Sequence, residues 1–542
     1  MQYNSEQKMK KGFILTVMLI SVLALGFSQS ASWTVTNTAT WVEAVGAIRS
    51  GGNNKEYIIT VIGNISIPSS TENTFGSVTG ITVTIQGNGT LTPSANGSLL
   101  FIGAVQTIIV KDLTLQGRNS NNAAVVKIEN SGTFRMEGRA TVTGNISPGD
   151  CGVYVKGGVF TMQDSATVSG NTTSVKEKQG GGVYIIDGTF TMHGGMISNN
   201  TNTYGYGGGV HVERSTFTME GGTITGNSGG NGGGVNILSA TFIMKGGTIT
   251  GNSAGSGGGV SISTGTFTMQ GGTILNNAAT YGGGVSIGGK YGTFTMQNGT
   301  ITGNNATYGG GVDNSGIFTM QDGTISNNTA TNGGGVWNHE TFAMQGGAIS
   351  NNTATYNGGG VYNNYGTFTM QNNVSVSGNT AAAHGGGVYN SYSFLKFSGT
   401  IYGDDAEQNL KNTAISRLGH AMYNEQNNAW RNATAGQTMN SDSYGFWLND
   451  GGDVIMFPTD FVGGWRRQNF DNLLTLTLNS VKSSSSNYIW ILQKISGNAY
   501  TFKRSDTANT LTLTIRLDGN NLVISGDSGN GQDNWNGTWR KR

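Results

Sequence analysis

The sequence predicts an all-β chain, a right-handed parallel β-helix with three strands per coil and about 25 residues per coil, followed by a small antiparallel β domain. Three observations carry that prediction. First, the motifs G-G-G-V, T-F-T-M and T-I-x-G/N-N recur in fixed order from about residue 132 to 403. One copy reads Gly232-Gly233-Gly234-Val235, then Thr241-Phe242-Ile243-Met244, then Thr248-Ile249-Thr250-Gly251-Asn252. A fixed period of this length marks a stacked repeat architecture. Second, each motif alternates apolar and polar residues, which in a strand puts Phe and Met on one face and the threonines on the other. One such strand cannot bury its apolar face alone; copies stacked about 4.8 Å apart join those faces into one interior. Third, the 542 residues exceed one ordinary core, and 90 glycines with only 4 prolines and 11% charged residues supply turns without breaking strands.

The elements follow in order. Lys8, Lys10 and Lys11, an apolar run from Phe13 to Phe27, and the small residues Ser28, Ser30 and Ala31 have the layout of a secretory signal peptide over residues 1–30, with Met9 as an alternative start. The apolar run is too short for a membrane span and no second one follows, so no transmembrane segment is expected in the mature chain. Cys151 is the single cysteine, so an exported chain of this kind is stable without an intrachain disulfide. Residues 31–131 read as an N-terminal cap and irregular first coils: Ala39 to Ile48 has helical spacing, and strand-like runs follow at Tyr57–Ile62, Ile81–Ile85, Leu99–Ile102, Thr107–Val110 and Val125–Ile128.

Residues 132–403 are the regular repeats. Their Phe column runs from Phe134 to Phe394 with a mean interval of 26 residues. From Phe190 through Phe342 the next core Ile always lies 7 residues on, whereas the distance from that Ile to the following Val varies from 11 to 13. Insertions are therefore expected at one corner, with the glycine-rich loop projecting into solvent. The asparagines at 145, 171, 200, 227, 252, 277, 304, 328, 352 and 379 share one offset and predict a turn ladder in left-handed backbone. Residues 404–460 read as a degenerate last coil and linker, with Gly419-His420-Ala421-Met422-Tyr423 as a decayed G-G-G-V-Y. Residues 461–542 alternate like an antiparallel meander and are framed by Gly463-Gly464-Trp465-Arg466 and Asn536-Gly537-Thr538-Trp539-Arg540, which predicts a small barrel whose two ends pair.

The G-G-G-V and I-x-x-N signatures resemble the G-G-A-I and F-x-x-N repeats of bacterial polymorphic outer-membrane proteins and, more broadly, the pectin-lyase-like right-handed β-helix superfamily. The likeness covers about residues 33 to 430 and implies the fold, which carries adhesins, autotransporter passengers and polysaccharide lyases and hydrolases alike. Autotransporter-type members end in a much larger membrane barrel, so self-anchoring is not implied. The final segment also resembles short lipocalin-like domains framed by G-T-W.

For function, 30 Lys and Arg against 29 Asp and Glu leave no field to attract nucleic acid. No catalytic, metal or cofactor set is expected. A polysaccharide enzyme needs clustered acids, and Asp187 and Glu213, like Asp313 and Glu340, fall at different offsets from their glycine motifs. His193, Glu220 and Lys245 occupy one outward column otherwise filled by glutamines, and read as a surface ion pair or a small binding patch. Trp337, Tyr362 and Tyr389 follow the G-G-G-V valine on consecutive coils and form the candidate binding stripe, since aromatic rings stack on sugars or bury against a protein partner. Thr-x-Thr pairs such as Thr189/Thr191 and Thr266/Thr268 make a hydroxyl ladder resembling that of ice-binding β-helices. The leading expectation is a secreted or cell-surface, adhesin-like binding protein whose partner is a glycan or a host or matrix protein. The alternatives are a polysaccharide-active enzyme and an ice-binding or purely structural spacer.

Overall fold

The computed structural model describes residues 31–424 apart from 104, 148, 175–178, 397–398, 404–405 and 416–418, then the strand Ala429–Arg431 and, as backbone, the strands between 463 and 541. The predicted signal peptide and most of the predicted linker lie outside the described residues. From Ala31 to Asn424 the chain is a parallel β-helix of three sheets with about 26 residues per turn.

Each turn contributes to three sheets, as expected, and in some turns the first sheet's share is divided into two short strands. Val210–Glu213 and Thr216–Met219 lie in the first sheet, Thr223–Thr225 in the second and Ser228–Asn231 in the third. The first two share a sheet because the corner between them is shallow, and Val235–Met244 and Val260–Met269 run through it unbroken. Pairing is in register and like meets like: Val210 faces Val235, Phe217 faces Phe242, and Ile224 faces Ile249. A slip of one residue would turn every inward side chain outward, so the apolar pattern fixes the register. All eleven phenylalanines from Phe134 to Phe394 are fully buried, and their rings form one stack with centroids 4.6 to 5.5 Å apart.

The predicted asparagine ladder is present and longer than expected. Asn252 donates from its side-chain amide to Asn277 Oδ1 at 3.0 Å and to the Ile224 carbonyl at 2.9 Å, and its backbone N–H also reaches Asn277 Oδ1. The same pattern runs on to Asn412 of the degenerate last coil. Each side chain thus satisfies buried backbone groups that the turn leaves unpaired. The left-handed residue is not the ladder asparagine but the one before it, such as Gly251 at φ 63° or Asn276 at φ 54°.

Two expectations about corners are corrected. The glycine runs do not project into solvent. Gly232, Gly233 and Gly234 are buried, and the N–H groups of Gly233 and Gly234 donate to Gly257 and Gly258 of the next coil. A Cβ on Gly233 would lie 2.5 Å from the Ser253 carbonyl oxygen, so the glycines permit a close approach of backbones that no side chain would tolerate. Nor is variation limited to one corner. Between Val285–Ile287 and Gly292–Met296 the first sheet splits around Lys290 and Tyr291. Beyond that point the inward isoleucines give way to Asn314, Asn338, Asn363 and Asn390, a second buried ladder with amide links of 2.6 to 2.7 Å. Where the corner breaks the strand, carbonyls such as that of Thr341 need donors, and Asn314 supplies one where isoleucine could not.

The ends are closed differently. At the start, the helix Thr38–Ser50, capped by Asn37 and Thr40, buries Trp41, Ala44 and Ile48 over the first coil. The third sheet begins only at Ile146–Ser147, which accounts for the irregular first coils. At the far end Met422–Asn424 pairs with Val388–Asn390, as its decayed motif predicted, and then with Ala429–Arg431 in antiparallel fashion. The C-terminal strands form a closed antiparallel barrel of eight, in which Gly463–Arg467 meets both Leu473–Thr477 and Gly537–Lys541, so its two ends pair as expected.

Candidate binding corner

Val336 and Asn338 point into the core, so Trp337 between them points out, and the same holds for Tyr362 and Tyr389. In backbone register the three predicted residues stand directly opposite one another. Their rings do not form one stripe. Tyr362 and Tyr389 stack at 4.7 Å with planes 5° apart, and Tyr389 continues to Tyr423 at 5.3 Å. Trp337 instead stacks on Tyr308 at 4.3 Å and lies 6.1 Å from Tyr281.

Tyr281 and Tyr308 immediately precede a glycine run, whereas Trp337 follows one. The tight turn folds the chain back on itself, so residues on its two sides meet. His339 adds an edge-on contact to Trp337 at 4.1 Å, and His384 stacks on Tyr423 at 4.5 Å. Stacking covers most ring faces: Tyr389 is only 5% exposed, while Tyr281 is 40% exposed. The coil before Tyr281 carries Ser256 at the equivalent place, so one face of the Tyr281 ring has only a small side chain beside it. The signal for these two tyrosines was legible as a column four residues before the valine, but the turn that joins the two columns was not.

Beneath the turn, the outward column after the valine is filled by polar residues that are nonetheless buried: His211, Asn236, Ser261, Ser286 and Asp313. Burial lowers His211 to about 4 and raises Asp313 to about 7. Ser286 donates to Asp313 Oδ2 at 2.9 Å. Among the described residues, Asp313 Oδ1 and Trp337 Nε1 are buried with no hydrogen-bond partner.

The His193, Glu220 and Lys245 column assembles as expected. Glu220 takes Lys245 Nζ at 3.0 Å and His193 Nδ1 at 2.7 Å, and these partners hold its carboxyl below the usual range. All three are well exposed, so the cluster is a solvated ion pair worth little to stability. Asp187 and Glu213, expected to stay apart, are instead brought together by Arg214. The guanidinium grips Asp187 at 2.9 and 3.1 Å and also pairs with Glu213, whose other oxygen accepts from the Tyr184 hydroxyl at 2.6 Å. Asp187, Arg214 and Ser239 hold left-handed backbone on successive coils and line a shallow depression of about 560 Å³ with Thr216 and Thr241. The threonine columns are interrupted by Ile243 and Ala343, which breaks the regular hydroxyl lattice.

Compared with family models, curated proteins and solved structures, the chain matches none. Among the described residues no three His, Cys, Asp or Glu side chains gather as a metal site.

Proposed function

We propose that the chain is an adhesin-like binding protein, secreted or displayed at the cell surface, that presents its aromatic corner to a glycan or a matrix protein. The observation that carries this reading is the stack of Tyr281, Tyr308 and Trp337, held on a rigid core and open on one ring face. Aromatic rings fixed at low conformational cost are the anchors of most binding surfaces. A glycan and matrix-protein array with the purified chain identifies the partner. Tyr281→Ala and the pair Trp337→Ala with Tyr362→Ala should each weaken capture at least about tenfold, as loss of an anchor does. Capture that survives all three changes would remove the reading.

A polysaccharide-active enzyme is the second reading, favoured by the meeting of Asp187, Glu213 and Arg214. It fits less well. Glycoside cleavage needs one carboxyl that keeps its proton, and Arg214 holds Asp187 below the ordinary carboxylate range while also engaging Glu213.

A further inference from the structure

Asp313 and Trp337 are partners in register on adjacent parallel strands, Val312–Asn314 and Val336–Asn338. Both side chains leave the core side of the sheet, and each carries one buried polar atom without a partner: an acceptor, Asp313 Oδ1, and a donor, Trp337 Nε1. The carboxyl is anchored only through Oδ2, by Ser286 of the preceding coil. The indole is anchored by Tyr308, which precedes the same glycine run that leads into Asp313. A buried orphan donor beside a buried orphan acceptor is costly, and a hydrogen bond between them removes both penalties at once. That bond is strongest when the carboxyl is charged.

We propose that Asp313 is the positioning residue of the aromatic corner: its ionised carboxylate takes the indole N–H of Trp337 and draws the ring from its stack on Tyr308, while the neutral carboxyl leaves the stack intact. The consequence for ligand binding rests on the reading given above, but the coupling itself needs no ligand.

The surroundings support a local switch. The groups beside Asp313 in register are Ser286 on the preceding strand and Trp337 on the following one, and Tyr281, Tyr308 and His339 are ring neighbours of Trp337; among the described residues no charged side chain acts on the Asp313 carboxyl. Burial dominates the titration of Asp313, opposed only by the Ser286 hydrogen bond, which places the change near neutrality.

The test is fluorine NMR of the full chain labelled with 5-fluorotryptophan, the Trp337 signal being assigned by its loss in Trp337→Phe. In the wild-type chain that signal should move with a midpoint near pH 7 and should not move in Asp313→Asn. Ser286→Ala, which removes a donor to the carboxylate, should shift the midpoint upward. A Trp337 signal indifferent to pH in the wild type, or one that titrates unchanged in Asp313→Asn, would overturn the proposal. Should Asp313→Asn not fold, the Ser286→Ala midpoint decides: an unmoved midpoint rejects it. Because no ligand is present, this outcome is independent of whether the corner binds a glycan.

Discussion

Two buried ionisable residues, Asp313 and His211, make opposite demands on the folded state. The native chain keeps the Asp313 proton up to about pH 7, while an unfolded aspartate releases it near pH 4. Its stabilising contribution is therefore full below about pH 4 and falls as the pH rises to about 7. His211 works the other way. The native chain refuses a proton down to about pH 4 that the unfolded chain accepts near 6.5, so stability falls as the pH drops through that window. Between about pH 4.5 and 6.5 the two slopes oppose and the wild-type profile is muted. Urea midpoints should expose each slope: Asp313→Asn should lose stability on acidification, and His211→Gln should lose it as the pH rises. Slopes of the same sign in the two variants would contradict the assignment.

The ladder asparagines set a second residue-scale expectation. Asn277 accepts from Asn252 and donates to Asn304 Oδ1 and the Ile249 carbonyl. Asn277→Asp keeps the acceptor but points a buried charge at two oxygens, which should cost about 3 to 5 kcal/mol at pH 7 and be partly relieved in acid, where the carboxyl can donate. This column was readable in the sequence because parallel in-register stacking repeats the same environment on every coil. The aromatic corner was only half readable: Trp337, Tyr362 and Tyr389 share an offset, but Tyr281 and Tyr308 reach Trp337 through the geometry of a turn. The Asp187–Glu213 meeting was missed because Arg214, one residue farther along, does the joining.

At the scale of elements, the glycine turns and the cap respond to the same substitution with opposite sign. Gly46 lies exposed in the helix Thr38–Ser50 with nothing near its missing Cβ, so Gly46→Ala should stabilise the cap by about 0.5 to 1 kcal/mol. Gly233→Ala meets carbonyl oxygens of two neighbouring segments and should lower the melting temperature instead. Phe267→Ala should cost about 3 to 5 kcal/mol, since its ring is fully buried between Phe242 and Phe294. The strands of the first two sheets were legible from period-2 alternation. The third-sheet strands, such as Ser228–Asn231 and Ser253–Ser256, were not, because small polar residues carry no apolar rhythm and are strands only by virtue of pairing with the coil above and below.

For the whole molecule, stability is a sum over coils and their interfaces. Removing one complete repeat, residues 233–257, joins Gly232 to Gly258 and still sets valine over valine and phenylalanine over phenylalanine, because Val210 and Phe217 then face Val260 and Phe267. That variant should fold with cooperative melting, whereas removal of residues 233–250, which breaks the columns, should not. Circular dichroism during heating distinguishes the two.

The short antiparallel strand Ala429–Arg431 lies on the last parallel rung, across Met422–Asn424. A rung left bare would be a template on which another chain could add in the same direction, as in fibrils. By reversing direction there, the polypeptide lays a strand of opposite sense over the last rung of its first sheet, so a further coil of the same kind would find no edge of its own direction to continue in that sheet.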